Sequence, residues 1–204
     1  LVVGSINEKE AWIVFLSLIL VAFILVLQLS HQTIKYAVFG LALTIIYPLC
    51  KRFFSAPQMV LGVTFSWSIP MAYVASERAF DTIFFIIWLA TIIWIVAYDT
   101  FYAMVDKTDD QKAGILSTAR LFDKYDKVIT AIMQGIVIVL FYYVGVLSTM
   151  NNFYFICITA VLCLFVRQQI LIKNREPSAC FKAFLENNYV GLIIFIGILS
   201  QQLF

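Results

Sequence analysis

Seven apolar runs of membrane-spanning length recur along this 204-residue chain, and few folds survive that constraint. They cover residues 11–30, 34–50, 57–75, 80–98, 128–149, 152–166 (extending toward 172) and 189–204. Most approach the roughly 20 residues that a helix needs to cross a bilayer. The sixth stops short at Arg167, whose long stem can carry its charge toward the headgroups. No run alternates in the ~10-residue manner of an outer-membrane barrel strand. Hydrocarbon offers nothing to satisfy a peptide group, so a helix that pairs its own backbone is the remaining solution. The expected fold is all-α, a polytopic transmembrane helical bundle, as a single domain over residues 1–204. Composition agrees: 63% of residues are hydrophobic and 13% charged, against about 45–50% and 25% in soluble domains.

Charge placement orients the bundle. If the segment before residue 11 lies inside, the inner ends and loops hold Lys9, Lys51, Arg52, Lys107, Lys112, Arg120, Lys124, Lys127, Arg167, Lys173, Arg175 and Lys182. The outer side keeps only Lys35 and Arg78. The net charge of +2 is too small to imply a nucleic-acid partner. Outer connections, near 30–33, 76–79 and 150–151, are short, whereas 100–127 and 173–188 are long inner connections. Long loops over a membrane scaffold are where function concentrates.

Cys50, Cys157, Cys163 and Cys180 form no C-x-x-C pair, and Cys157 and Cys163 read as packing residues within an apolar run. The lone histidine, His31, reads as an interfacial residue in a short polar break.

The segment AYDTFYAMVDKTDDQKAGILSTARLFDKYDK holds Asp99, Asp106, Asp109, Asp110, Asp123 and Asp126, half of the twelve acidic residues. If the helix continues past Tyr98, Asp99, Asp106 and Asp110 fall at i, i+7 and i+11, one stripe that also carries Tyr102 and Ala103, with Asp109 at its margin. Clustered carboxylates repel, and one near hydrocarbon costs about 2.5–3.5 kcal/mol on insertion scales. A hard divalent cation would compensate, because Mg2+ binds through one or two carboxylates plus phosphate oxygens. Asp123 and Asp126 read instead as solvated loop acids paired with Lys107, Lys112 or Lys124.

A second inner feature is Tyr47-Pro48-Leu49-Cys50-Lys51-Arg52. Cations at a helix C-terminus suit its dipole, and Arg52 can in addition grip a carboxylate or phosphate bidentately. The next run, with Pro57, Gly62, Trp67 and Pro70, reads as a helix lining a cavity rather than lipid.

At these residues the chain resembles the UbiA family of membrane prenyltransferases, in its 4-hydroxybenzoate branch. The matching stretches are YPLCKR (47–52), PQMVLG (57–62), FSWSIPMA (65–72), AYDTFYAMVDKTDD (97–110), GILST (114–118) and FKAFLENNYVG (181–191). The resemblance implies nine transmembrane helices around a cavity, with two Asp-rich motifs facing each other on the cytoplasmic side. Asp106 and Asp110 match the second motif, and the first, N-D-x-x-D-x-x-x-D, does not occur here. The expectation is a prenyltransferase domain lacking its first two helices and half its metal site, inactive alone.

The implied reaction joins a polyprenyl chain from polyprenyl diphosphate to the ring of 4-hydroxybenzoate, ortho to the phenol, in ubiquinone biosynthesis. The implied cofactor is Mg2+, held by Asp106 and Asp110. Arg52 is the candidate for the diphosphate or the benzoate carboxylate, with Lys51 beside it, and Asp99 and Tyr102 are assigned to the acceptor end. Asn187 and Asn188 receive no role. The implied location is a bacterial (or mitochondrial) inner membrane, with the site facing the cytoplasm (or matrix). Two other readings stand beside this one. One is another branch of the family, with a naphthoate, homogentisate, haem or chlorophyllide acceptor. The other is a transporter, which would spread its acids across the bilayer depth. Here they gather at one rim, apart from Glu77 and Asp81.

Overall fold

The computed structural model describes residues 6–203, and every element among them is helical. The first two apolar runs form α1 (Glu8–Val26) and α2 (His31–Cys50). Both begin on caps written in the sequence. Asn7 and Glu10 exchange side-chain-to-backbone hydrogen bonds of 2.9 Å, and Ser30 Oγ accepts from the Thr33 amide. The run at 57–75 is not one helix but two, α3 (Pro57–Ser66) and α4 (Ser68–Ala75), broken at Trp67. Pro70 causes the break: it has no N–H for the Ser66 carbonyl and its ring crowds that oxygen. The Trp67 indole N–H ties the break to α2 by donating to the Tyr36 carbonyl at 2.8 Å.

The axis of the molecule is α5 (Thr82–Ala113), 32 residues where the apolar run alone predicts 19. At 1.5 Å per residue it is about 48 Å long, against about 30 Å of hydrocarbon. Asp81 caps its start by accepting from the Phe84 amide at 2.8 Å. Gly114, at φ 70°, ends it in the left-handed conformation that costs other residues strain. Asp99 therefore stands near the edge of the hydrocarbon, and Asp106 and Asp110 project past it.

A short α6 (Thr118–Phe122) leads into α7 (Asp126–Leu147), then α8 (Asn152–Leu171), a rim helix α9 (Pro177–Leu185) and α10 (Asn187–Leu203). Among the described residues, six helical segments are long and apolar enough to cross a membrane. The seventh expected crossing is the broken pair α3–α4.

Helix α5 packs against α3, α7 and α9, while α8 packs against α7 and α10. Gly62 permits the α3 contact: a Cβ there would lie 3.1 Å from the Ile92 carbonyl oxygen of α5. One core, around Phe141, Tyr154, Val161, Phe165 and Val190, joins α7, α8 and α10. A second, around Phe101, Met104, Ala119, Ile172 and Cys180, lies at the inner end. No residue of α1 is buried, which an apolar helix tolerates in lipid but not in water.

Three side chains depart from the sequence reading. Asp126 is not a solvated loop acid but is wholly buried, clasped by Arg175, whose Nε lies 3.0 Å from both carboxylate oxygens, with Lys107 Nζ at 3.9 Å. The Arg175 partner comes from 49 residues away, beyond the reach of local pattern. Arg167 does not simply extend toward headgroups; it pairs with Glu186 at 2.9 Å. Cys163 is exposed rather than packed, whereas Cys157 is buried.

Candidate active site

The rim at the C-terminal end of α5 holds a small cavity of about 90 Å3 assembled from four segments. The end of α2 contributes Tyr47 and Lys51, and the start of α3 contributes Gln58. From α5 come Asp99, Tyr102, Ala103, Asp106 and Asp110, the stripe at i, i+3, i+4, i+7 and i+11. The loop after α5 closes the cavity with Ile115, Leu116 and Ser117.

That loop is held down by named bonds. The Leu116 amide donates to the Lys51 carbonyl at 3.0 Å, and the Thr118 amide donates to Gln58 Oε1 at 2.9 Å. The hydroxyls of Thr118 and Thr100 lie 2.8 Å apart, which pins the loop to α5 as well. Arg120 donates to the Ile115 carbonyl. Gln58 is 3% exposed, so losing its partner would leave a buried amide unsatisfied. The PQ and GILST stretches thus act together: they fasten the lid segment over the carboxylates.

The carboxylates themselves are left without protein cations in contact. Among the described residues, Asp99, Asp106 and Asp110 make no ion pair within 4.0 Å, although Lys51 lines the same cavity. Asp109, at the margin of the stripe, is exposed and pairs with Lys112 at 3.1 Å. Lys51 Nζ sits 5.5 Å from the Tyr47 ring centroid, a cation–π contact that holds it near the acids. Arg52 is exposed and is not among the lining residues.

A larger cavity of about 650 Å3 adjoins the small one and shares Tyr47, Asp99 and Tyr102 with it. Its walls are mainly apolar and aromatic, including Leu61, Phe65, Trp94, Tyr98 and Phe184. Tyr102 packs on Phe184 at 5.2 Å between centroids, and Tyr98 packs on the same ring at 5.8 Å. Asn187 and Asn188 also line it. Asn187 braces the wall through three hydrogen bonds. Its Oδ1 accepts from the Trp94 indole at 2.8 Å, while its Nδ2 donates to the Ala183 carbonyl at 2.9 Å and the Phe184 carbonyl at 3.2 Å. Trp94 is thereby fixed in place. Tyr47, Gln58, Trp94, Tyr98, Phe184 and Ser117 were not singled out by sequence reasoning as site residues. All of them but Trp94 lie inside the matching stretches given above, but the Trp94–Asn187 pair spans 93 residues and leaves no local signal.

The donor set fits one kind of metal site. Among the described residues, no three His, Cys, Asp or Glu side chains converge to hold an ion. Two carboxylates one helical turn apart suit Mg2+ completed by phosphate oxygens and water rather than a protein-only cage. Ser117 Oγ is buried and lines the cavity beside Asp110. A hydroxyl placed there can donate to a phosphate oxygen that shares the site with the carboxylates.

Residues 1–196 match the UbiA prenyltransferase family. Relatives include proteins named 4-hydroxybenzoate octaprenyltransferase from Psychromonas ingrahamii, 50% identical over 195 residues, and Providencia stuartii, 48% identical over 200. A third, from Escherichia fergusonii, is 50% identical over 195 residues. These alignments cover 96%, 98% and 96% of this chain and 68%, 69% and 67% of those proteins, so the chain spans about two thirds of their length. Two solved structures share the fold. The apo structure of a UbiA homologue from Aeropyrum pernix K1 matches at TM-score 0.83 and 20% identity, over 98% of this chain and 75% of that one. A digeranylgeranylglyceryl phosphate synthase matches at TM-score 0.68 and 17% identity, over 98% and 72%.

Proposed function

Since the chain belongs to the UbiA prenyltransferase family, we propose that it transfers a polyprenyl group from polyprenyl diphosphate to the ring of 4-hydroxybenzoate in ubiquinone biosynthesis. The observation that carries this reading is the junction of two unlike cavities at Tyr47, Asp99 and Tyr102. An allylic diphosphate is likewise two unlike halves, a charged head and an apolar tail, joined at the bond that breaks. The relatives named as octaprenyltransferases make an octaprenyl donor the tail to test first.

Asp106 and Asp110 are the residues that would hold Mg2+ beside the diphosphate. Bound there, the ion would supply positive charge to stabilise the departing diphosphate. Lys51 adds a second positive charge to the same oxygens, and Ser117 donates a hydrogen bond. Arg52, exposed one residue beyond Lys51, meets the incoming diphosphate or the benzoate carboxylate outside the cavity. The allylic C–O bond breaks with its electron pair leaving on diphosphate. The ring carbon ortho to the phenol forms the new C–C bond, and that carbon then loses its proton. Asp99, common to both cavities, accepts that proton, and Tyr102 orients the acceptor ring. Trp94, Tyr98 and Phe184 exclude water from the allylic cation and face it with π-electron density. The site faces the cytoplasm of a bacterial inner membrane, on the side where the lysines and arginines gather.

The test is a turnover assay with the purified full-length protein, labelled octaprenyl diphosphate and a panel of acceptors. Prenylated 4-hydroxybenzoate should form in the presence of Mg2+ and stop on chelation with EDTA. Prenylation of a naphthoate or homogentisate in preference to 4-hydroxybenzoate would move the protein to another branch.

A further inference from the structure

We propose that a second cavity at the same rim, between α8, α9 and α10, seats the phosphate of an anionic phospholipid headgroup. It has a volume of about 670 Å3 and is lined by Arg167, Lys182, Leu185, Glu186, Asn188 and Tyr189. Leu185 and Asn188 also line the substrate cavity, so the two spaces have a common wall. None of the residues assigned to diphosphate or Mg2+ reaches it.

The charges in this cavity do not cancel. Glu186 is 5% exposed; its Oε1 accepts from Arg167 Nη2 at 2.9 Å and its Oε2 has no hydrogen-bond partner among the described residues, so one arginine balances the charge of one buried carboxylate. Arg167 is nonetheless 54% exposed, and the rest of its guanidinium keeps N–H donors in a planar fork suited to phosphate. Lys182, from α9, has no ion pair among the described residues and leaves the cavity with a net charge of +1. The Tyr189 hydroxyl and Asn188 amide add neutral donors.

The surroundings suit acyl chains rather than a soluble anion. Val166, Ile170, Phe181 and Leu185 are all exposed apolar side chains on the elements that carry the cavity. A basic pocket between transmembrane helices at the cytoplasmic edge is where anionic headgroups settle, because that leaflet is negatively charged. Glu186 acts here as a positioning residue: it holds Arg167 against the cavity wall.

Native mass spectrometry of the delipidated full-length protein tests this. The probes are phosphatidylglycerol, phosphatidylcholine with the same acyl chains, and inorganic phosphate and diphosphate without lipid. Phosphatidylglycerol should bind saturably and more tightly than phosphatidylcholine. Lys182→Gln should weaken it about fivefold, the effect of one basic residue at an anionic surface, without moving the thermal midpoint. Arg167→Lys, which keeps the charge beside Glu186 but loses the fork, should weaken it as well. Equal binding of the two lipids, or unchanged phosphatidylglycerol affinity in Lys182→Gln, would overturn the proposal. So would saturable binding of free phosphate or diphosphate at Arg167 and Lys182, which would make this a soluble-anion site.

Discussion

Asp110 and Asp126 stand in one stretch of sequence, sixteen residues apart, and the structure treats them in opposite ways. Asp126 is wholly buried and satisfied from within: Arg175 clasps both its oxygens, Lys107 stands 3.9 Å away, and the Lys127 amide donates to Oδ1 at 2.7 Å. Hydrogen bonding to Asp126 in turn pushes the pKa of Arg175 above the ordinary arginine value. Asp110 lines a cavity with Asp99 and Asp106, and no protein cation among the described residues makes an ion pair with any of the three. A carboxylate answered by the protein is a structural part. A set of carboxylates gathered in one cavity with no cation in contact is a seat for something brought from outside.

This contrast is breakable. The largest effect belongs to the unanswered group: Asp106→Ala or Asp110→Ala should lower prenyl transfer on the order of 10²–10³-fold, as loss of a charge-stabilising group does elsewhere, with an unchanged thermal midpoint. Near-normal turnover in either variant would remove the metal assignment. Asp126→Ala should act the other way round. It leaves Arg175 uncompensated and should cost about 3–5 kcal/mol of stability, read as a fall in the melting temperature in detergent. Replacing both partners, Asp126→Leu with Arg175→Met, should recover much of that loss, because an apolar pair has no charge to strand. If the double variant is as unstable as the single, the pair does more than neutralise itself. The smallest effect is expected at Asp109, which is exposed and paired only with exposed Lys112. Asp109→Asn should change stability by less than about 0.5 kcal/mol and leave turnover intact, although it lies next to Asp110.

How far the sequence could see depended on the distance between partners. The bundle was legible because apolar runs and basic loops are local patterns, and the stripe on α5 because helical spacing is local too. The break at Trp67 could have been read from Pro70, three residues on. The PQ and GILST stretches stood out as motifs, but their connection, Gln58 to the Thr118 amide, joins positions 60 residues apart. The same holds for Arg175 on Asp126 and Asn187 on Trp94, separated by 49 and 93 residues. Such pairs exist only once the helices have packed, so Asp126 looked no different from Asp123 in the sequence. Only the fold separates the buried carboxylate from the exposed one, which pairs with Lys107 at 3.2 Å.

The central claim is that the α5 stripe binds a diphosphate through Mg2+ at the edge of the apolar cavity. Calorimetric titration of the full-length protein with an unreactive prenyl thiodiphosphate, with and without Mg2+, tests it most directly. Binding should require Mg2+ and should be lost in the Asp106→Asn/Asp110→Asn double variant while Asp109→Asn binds normally. Equal affinity without the metal, or undiminished Mg2+-dependent binding in the double variant, would contradict it.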